Sequence, residues 1–330
     1  MSTSGNVAVS VIVPMYNSEQ YIERCAISLF NQTLDDMEIV FVDDCSTDGT
    51  VKIVEHLMSS SLVGAKSVRL VRNVANVGSS ESRNVGISSS CGEYIGFCDS
   101  DDWVEPDMYA TMLHCAVSED ADIVGCGMVY EDGDTRRVLR YCYDREHRPD
   151  LWRIHNVYSS LCNKLIRRSL YMAHDIKSLK GLSMWDDNAV SFRLRYYSHN
   201  TIVVDKTFYH YFNNQKSIVH GTAVKLASDQ VSCVKYLEKE MSGEFDTSMF
   251  LYDIFEYLKL ESKRIYLENR HVRSSKMWRS VFPETNGRGW RNDKFTRRVR
   301  MKMAVANYLP TVLADRLLSG VEWCTDRLRK

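Results

Sequence analysis

Short runs of apolar, β-branched residues alternate with stretches of helical periodicity through the N-terminal part of the chain. Val7 to Val13 is such a run, ended by Pro14, and predicts a strand buried on both faces. Ile22, Ala26, Leu29 and Phe30 then share one helical face, with Asn17 or Ser18 placed to cap the helix. Met37 to Val42 predicts a second buried strand that stops at Asp43-Asp44, and Thr50 to Met58 a second helix. Val68 to Val71, Tyr94 to Cys98 and Asp122 to Tyr130 are further strand candidates. Alternation of this kind predicts an α/β fold, a mostly parallel sheet flanked by helices. From Val224 onward the pattern is helical, through Val231, Val234, Leu237, Phe250, Ile254, Tyr257 and Leu258. The expected division is a sheet domain over 1–221 and a helical region over 222–330, with the boundary near Gly221.

Open α/β sheets bind ligands beyond the carboxyl ends of their strands. Pro14-Met15-Tyr16-Asn17, Asp43-Asp44 and Asp99-Ser100-Asp101-Asp102 each follow a predicted strand, so three polar segments should converge on one sheet edge. No GxGxxG turn follows the first strand, which removes the phosphate-cradling glycines of a dinucleotide-binding site. Asp99, Asp101 and Asp102 crowd carboxylates into one turn, an arrangement that calls for a cation. Hard oxygen ligands favour Mg²⁺ or Mn²⁺, and no Cys or His spacing offers zinc. The alternative is a solvated acidic turn capping a helix that begins near Pro106. Trp103 and Trp185 lie beside carboxylate groups, where an indole either stacks on a sugar or fills the core.

The chain has 330 residues and a net charge of −1, which argues against a dedicated nucleic-acid binder. The charge is unevenly spread: from Glu261 to Lys330 there are 17 Lys and Arg against 7 Asp and Glu. Lys276 to Lys302 interleaves basic residues with Trp278, Phe282, Trp290, Phe295, Val299 and Met301. Such a segment suits the headgroup layer of an anionic membrane, or the solvated face of a helical appendage. Ten cysteines without a CxxC pair fit a reducing compartment. With neither a signal-type leader nor a stretch of about 18 apolar residues, the expectation is a cytoplasmic protein, peripheral on the inner face of the membrane if it meets one at all.

The order of motifs narrows the function. Val11-Ile12-Val13-Pro14-Met15-Tyr16-Asn17-Ser18-Glu19, Phe41-Val42-Asp43-Asp44-Cys45-Ser46, Asn76-Val77-Gly78 with Arg83-Asn84-Val85-Gly86, and Asp99-Ser100-Asp101-Asp102 together resemble the family 2 glycosyltransferases. Asn163-Lys164-Leu165-Ile166-Arg167-Arg168 is similar to that family's NKLxxR segment, and Asp186-Asp187 falls where the family carries its Glu-Asp pair. The resemblance implies a GT-A, Rossmann-like fold and inverting transfer of a sugar from a nucleotide-sugar donor, a UDP-sugar in most members. The acceptor is then a hydroxyl of a carbohydrate or lipid-linked saccharide, as in polysaccharide or glycoconjugate synthesis. It also implies roles by position. Pro14, Tyr16 and Glu19 wall the nucleotide pocket and Asp44 bonds the uracil. Arg83 lies near the donor phosphates, and Asp99-Ser100 faces the ribose or a metal-bound water. Asp101, with Asp99, ligates the Mn²⁺ or Mg²⁺, and Asp187, beside Asp186, is the general base.

The chain departs from the family pattern in places. The first member of the Glu-Asp pair is Asp186, Cys162 replaces a Trp before the NKL segment, and Phe212 takes a position often basic in relatives. His210 or His220 offers a nitrogen to a metal, an acceptor or the packing of the aromatic cluster. Two other classes stay open at this level. A nucleotidyltransferase shares strand-end carboxylates and a metal but brings a Gly-rich phosphate loop that Pro14 to Ser18 does not form. A non-catalytic sugar-nucleotide-binding module would not need Asp99, Asp101 and Asp187.

Overall fold

A computed structural model describes residues 7–140, 159–182, 185–214, 222–247 and 249–327. In the first of two compact units, β1 (Val9–Met15), α1 (Ile22–Phe30), β2 (Met37–Asp43), α2 (Thr50–Met58), β3 (Ser67–Arg72), α3 (Ser79–Ser89) and β4 (Tyr94–Phe97) follow in strict alternation. Then come β5 (Trp103–Val104), α4 (Met108–Ser118), β6 (Ile123–Asp132), β7 (Thr135–Leu139), β8 (Lys164–Arg167), α5 (Arg168–Ala173), α6 (Asp186–Tyr197) and β9 (Thr201–Phe212). All nine strands join one sheet in the order β3-β2-β1-β4-β8-β6-β9-β5, with β7 paired to β6. Pairing is parallel from β3 to β4 and again between β6 and β9, while β8, β5 and β7 run antiparallel to their neighbours.

Every residue of β1 and β2 is buried, as helices on both faces require. Pro14 is accommodated in this central strand because pairing with β4 ends at Ile12. Gly86 lets α3 lie against β1: a Cβ there would stand 2.3 Å from Ile12 Cγ2.

The structure changes three expectations. Neither Asn17 nor Ser18 caps α1, which begins after Tyr21 without a side-chain cap; both residues are committed to the neighbouring loop described below. The twelve-residue β9 does not read as a strand in sequence because exposed Asp205 and Lys206 interrupt its apolar pattern, where the pairing with β6 slips register. In the helical region, Trp278, Phe282, Phe295 and Val299 are buried, so these apolar residues of the basic segment form core rather than an exposed face.

Contacts separate Met1–Leu182 with Asp186–Ser217 from Ser183–Trp185 with Ile218–Lys330. The expected boundary at Gly221 lies outside the described residues. The second unit contains α7 (Ala223–Glu240), α8 (Met249–Glu268), α9 (Ser275–Ser280), α10 (Arg297–Tyr308) and α11 (Thr311–Arg327) around buried Leu260, Leu267, Trp278, Met303 and Leu318. Lys263 is fully buried there, donating to the carbonyls of Val281 and Phe282 at 3.1 and 3.2 Å. Among the described residues no helix is long and apolar enough to cross a membrane.

Candidate active site

The loops after β1 and β2 are built against each other. Asn17 N–H donates to Ser46 Oγ at 3.1 Å, and Thr47 N–H donates back to Asn17 Oδ1 at 2.8 Å. Ser18 N–H donates to Thr50 Oγ1 at 2.7 Å, and Gly49 N–H to Glu19 Oε2 at 2.7 Å. A Cβ on Gly49 would approach that carboxylate oxygen to 2.9 Å, so a larger residue there would displace the Glu19 carboxylate from its bond. Asn17 and Cys45 both take positive φ, 49° and 66°, which turns the chain sharply at the two strand ends. Tyr16 projects outward, 49% exposed, while Pro14 is buried inside β1. Glu19 therefore shapes the loop through Gly49, and Tyr16 and Glu19 are the exposed members of the expected wall.

Asp44 is buried and accepts from Asn73 Nδ2 and Val77 N–H, both at 2.9 Å, and from Gly78 N–H at 2.7 Å. A carboxylate has about four acceptor positions, so most of its capacity is spent on the Asn73–Gly78 turn rather than offered to a base. Gly78, at φ +90°, ends that turn and opens α3.

The acidic turn follows β4. Ser100 faces inward, its hydroxyl 2.7 Å from Ser18 Oγ, which ties the turn to the first loop instead of opening it to a ligand. Asp102 is fully buried, accepting from Tyr209 OH at 2.5 Å and from Phe212 N–H at 2.8 Å. Asp99 N–H in turn donates to Tyr209 OH at 3.1 Å, so β9 fixes the turn from below. Asp101 Oδ2 accepts from Asn214 Nδ2 at 3.0 Å, and its backbone carbonyl accepts from Arg24 Nη2 at 2.6 Å.

Arg83 is the centre of the site. It reaches up from α3, 7% exposed, and meets Asp99 Oδ1 at 3.0 Å, Asp186 Oδ2 at 3.2 Å and Asp187 Oδ1 at 3.1 Å. Asp186 and Asp187 form the first turn of α6, where the helix dipole favours negative charge. Ser80 Oγ adds a 2.8 Å bond to Asp186. Expected near the donor phosphates, the Arg83 guanidinium here faces three carboxylates and joins the Asp186-Asp187 pair to the acidic turn.

Burial raises Asp187 to about 7, with Asp186 and Asp99 pushing the same way against Arg83. Burial and then Asp99 raise Asp101, and burial followed by Asp101 and Asp99 raises Asp102 well above the carboxylate range. This crowding is what a divalent cation would relieve. Among the described residues no group of three or more His, Cys, Asp or Glu is arranged to hold a metal unaided. Mg²⁺-type sites draw on one or two carboxylates and complete their shell with water and substrate phosphates, and Asp101 with the second oxygen of Asp99 fits that donor set.

The aromatic expectations change. His210 Nδ1 lies 3.0 Å from Glu131 Oε1 and Nε2 2.8 Å from Glu105 Oε1, so both nitrogens are engaged and neither serves a metal or an acceptor. Its ring stacks on Trp103 at 4.9 Å and 12°, and Arg24 lies 3.8 Å over the same indole. Trp103 is thus covered by protein groups rather than presented to a sugar. Trp185 precedes the Asp186-Asp187 pair at φ +67°, and its carbonyl accepts from Cys233 Sγ at 3.3 Å. His220 lies outside the described residues. Arg24, Ser80, Tyr209 and Asn214 escaped the sequence reading, each looking like an ordinary helix-face or strand residue.

Comparison with known proteins agrees with this architecture. The family model described as glycosyl transferase family 2 matches residues 10–174. EpsH of Bacillus subtilis, named as a glycosyltransferase, is 31% identical over 80% of this chain and 82% of its own length. Staphylococcus aureus TarS 1–349, solved with UDP-GlcNAc, superposes with a TM-score of 0.58 at 18% identity, covering 92% of this chain and 93% of that one. The mannosyltransferase PcManGT of Pyrobaculum calidifontis, solved with GDP-Man and Mn²⁺, gives 0.54 at 15% identity over 92% and 88%. These matches set aside the nucleotidyltransferase and the non-catalytic module: the chain belongs to the family 2 glycosyltransferases and is a sugar-transferring enzyme with a GT-A fold.

Proposed function

We propose that the enzyme transfers a sugar with inversion from a nucleotide-sugar donor, a UDP-sugar, to a saccharide hydroxyl. The observation that carries this reading is the Arg83 bridge, which brings Asp187 into one ionic cluster with Asp99 of the acidic turn. Donor complexes of the fold neighbours, one with UDP-GlcNAc and one with GDP-Man and Mn²⁺, support a nucleotide-sugar donor.

In this reading Tyr16 and the interlocked loops after β1 and β2 flank the nucleoside, and the acidic turn faces the diphosphate. Asp101 and Asp99 would hold Mn²⁺ or Mg²⁺, whose chemistry there is to neutralise charge on the departing diphosphate. Asp187 removes the acceptor proton as the hydroxyl attacks from the face opposite the leaving group. A proton affinity near neutrality suits a general base at physiological pH. Arg83 keeps Asp187 oriented and keeps a useful fraction of it ionised. When the acceptor is lipid-linked, the enzyme works at the inner face of the membrane, and the basic helical region supplies the contact.

A thermal-shift series with UDP-, GDP- and dTDP-sugars, each with Mn²⁺ or Mg²⁺, identifies the donor, because a ligand bound only by the folded state raises the unfolding temperature. The anomeric configuration of the product, read by NMR, then tests the mechanism. Retention of configuration would overturn the single displacement.

A further inference from the structure

Arg24 sits in the first turn of α1, the end of a helix where the macrodipole disfavours a cation. Burial holds the guanidinium below its usual range, against the pull of Asp102, Asp101 and Glu131 from outside the helix. Its Nη2 donates to the backbone carbonyl of Asp101 at 2.6 Å, while its guanidinium carbon lies 3.8 Å over Trp103 and 4.9 Å over Phe212.

The surface it rests on is itself fixed. Trp103 of β5 pairs directly with His210 of β9, the two rings stack at 4.9 Å, and His210 is held between Glu105 and Glu131. Just past the same end of β9, Asn214 holds the Asp101 carboxylate at 3.0 Å. Asp101 is therefore gripped at its carbonyl by Arg24 and at its side chain by Asn214.

We infer that Arg24, stacked on Trp103, is a positioning residue that holds Asp101 in register for a divalent cation. A planar guanidinium can lie flat on an indole and point a donor at a carbonyl in its own plane, which an ammonium cannot do. The inference rests on the assignment of Asp101 to the metal.

The test uses the full chain with R24M, which keeps the aliphatic stem over the indole and removes every donor, and with R24K. Mn²⁺ affinity is read from the EPR signal of free Mn²⁺ at saturating UDP, and UDP affinity by calorimetry in EDTA. R24M should weaken Mn²⁺ binding about 10- to 100-fold, as loss of an outer support to a ligand does, with UDP affinity in EDTA and unfolding temperature unchanged. R24K should fall between, and it supplies the same comparison if R24M unfolds early. Unchanged Mn²⁺ affinity in a folded variant overturns the inference. An equal loss of UDP affinity in EDTA also overturns it, because Arg24 would then touch the nucleotide itself. A wild-type chain that binds no Mn²⁺ with UDP sinks the metal assignment instead.

Discussion

Arg83 faces three carboxylates with one positive charge, and burial, with the excess of negative charge adding to it, decides how Asp187 behaves. Its Nε is buried without a hydrogen-bond partner, so the guanidinium is held by its ion pairs through the two terminal nitrogens. Asp187→Asn removes the proton acceptor while keeping its size, and should lower the transfer rate by about 10²- to 10⁴-fold with UDP affinity preserved. Asp186→Asn, whose carboxylate is shared with Ser80, should do less; the reverse ranking would move the base to Asp186. With Asp187 raised to about 7, kcat/KM should fall as pH drops below that value, and the loss should follow a single ionisation. Stability runs the other way. The folded-state value lies above the unfolded one, so ionising Asp187 costs stability as pH rises through this window, and the cost is absent below both values. Asp187→Asn should therefore unfold at a higher temperature than wild type at a pH of about 8 and show no such gain at a pH of about 4. A variant inactive and less stable at both would mean that Asp187 is held for structure.

At the scale of elements, α3 carries Arg83 and Ser80 and is seated on β1 through Gly86. A Cβ at that position meets Ile12 Cγ2 at 2.3 Å, in the centre of the sheet where nothing can give easily. Gly86→Ala should cost about 1–3 kcal/mol by overpacking, more than the roughly 1 kcal/mol returned by helix propensity. Denaturant midpoints check the sign, and an equal or higher midpoint would show that the helix slides freely. The strands that hold this site were legible wherever a strand is wholly buried, as β1, β2 and β4 are, because burial on both faces leaves an unbroken apolar run. β9 was not legible, since Asp205 and Lys206 sit exposed at its bulge, nor was β5, which is only two residues long. The pairing of Arg83 with Asp99, Asp186 and Asp187 joins α3, the β4 turn and α6. Sequence order supplies the members of that cluster but not which of them touch. Nothing in the sequence singles out Arg24, and only the fold shows what its guanidinium rests on.

At the scale of the whole molecule, the charge excess of the C-terminal region has to be placed on a surface before it can act. The buried positions of Trp278, Phe282, Phe295 and Val299 show that truncating near Ser262 would dismantle a core, so the membrane reading must be tested by changes that leave the core alone. Exposed apolar residues toward the C-terminus include Met301 and Tyr308 on α10, and Val312, Leu313 and Leu317 on α11, where Ala314 and Leu318 point inward. Val312, Leu313, Arg316 and Leu317 share one face of that helix by their spacing, and exposed Arg297 and Arg298 lie one turn before Met301. Apolar side chains flanked by arginines suit the headgroup boundary of an anionic bilayer, where each basic residue near the surface contributes about 1 kcal/mol and the apolar groups bury shallowly. Replacing Val312, Leu313 and Leu317 together by Ser should release the enzyme from phosphatidylglycerol vesicles in a sedimentation assay, while UDP binding and unfolding temperature stay at wild-type values. Wild-type binding should itself weaken with added salt, since the basic contribution is screened over about 10 Å at 0.1 M ionic strength. Co-sedimentation undiminished in the triple variant would rule out this apolar face as the membrane contact, and a wild-type chain that does not sediment with the vesicles would leave the arginines as a solvated face.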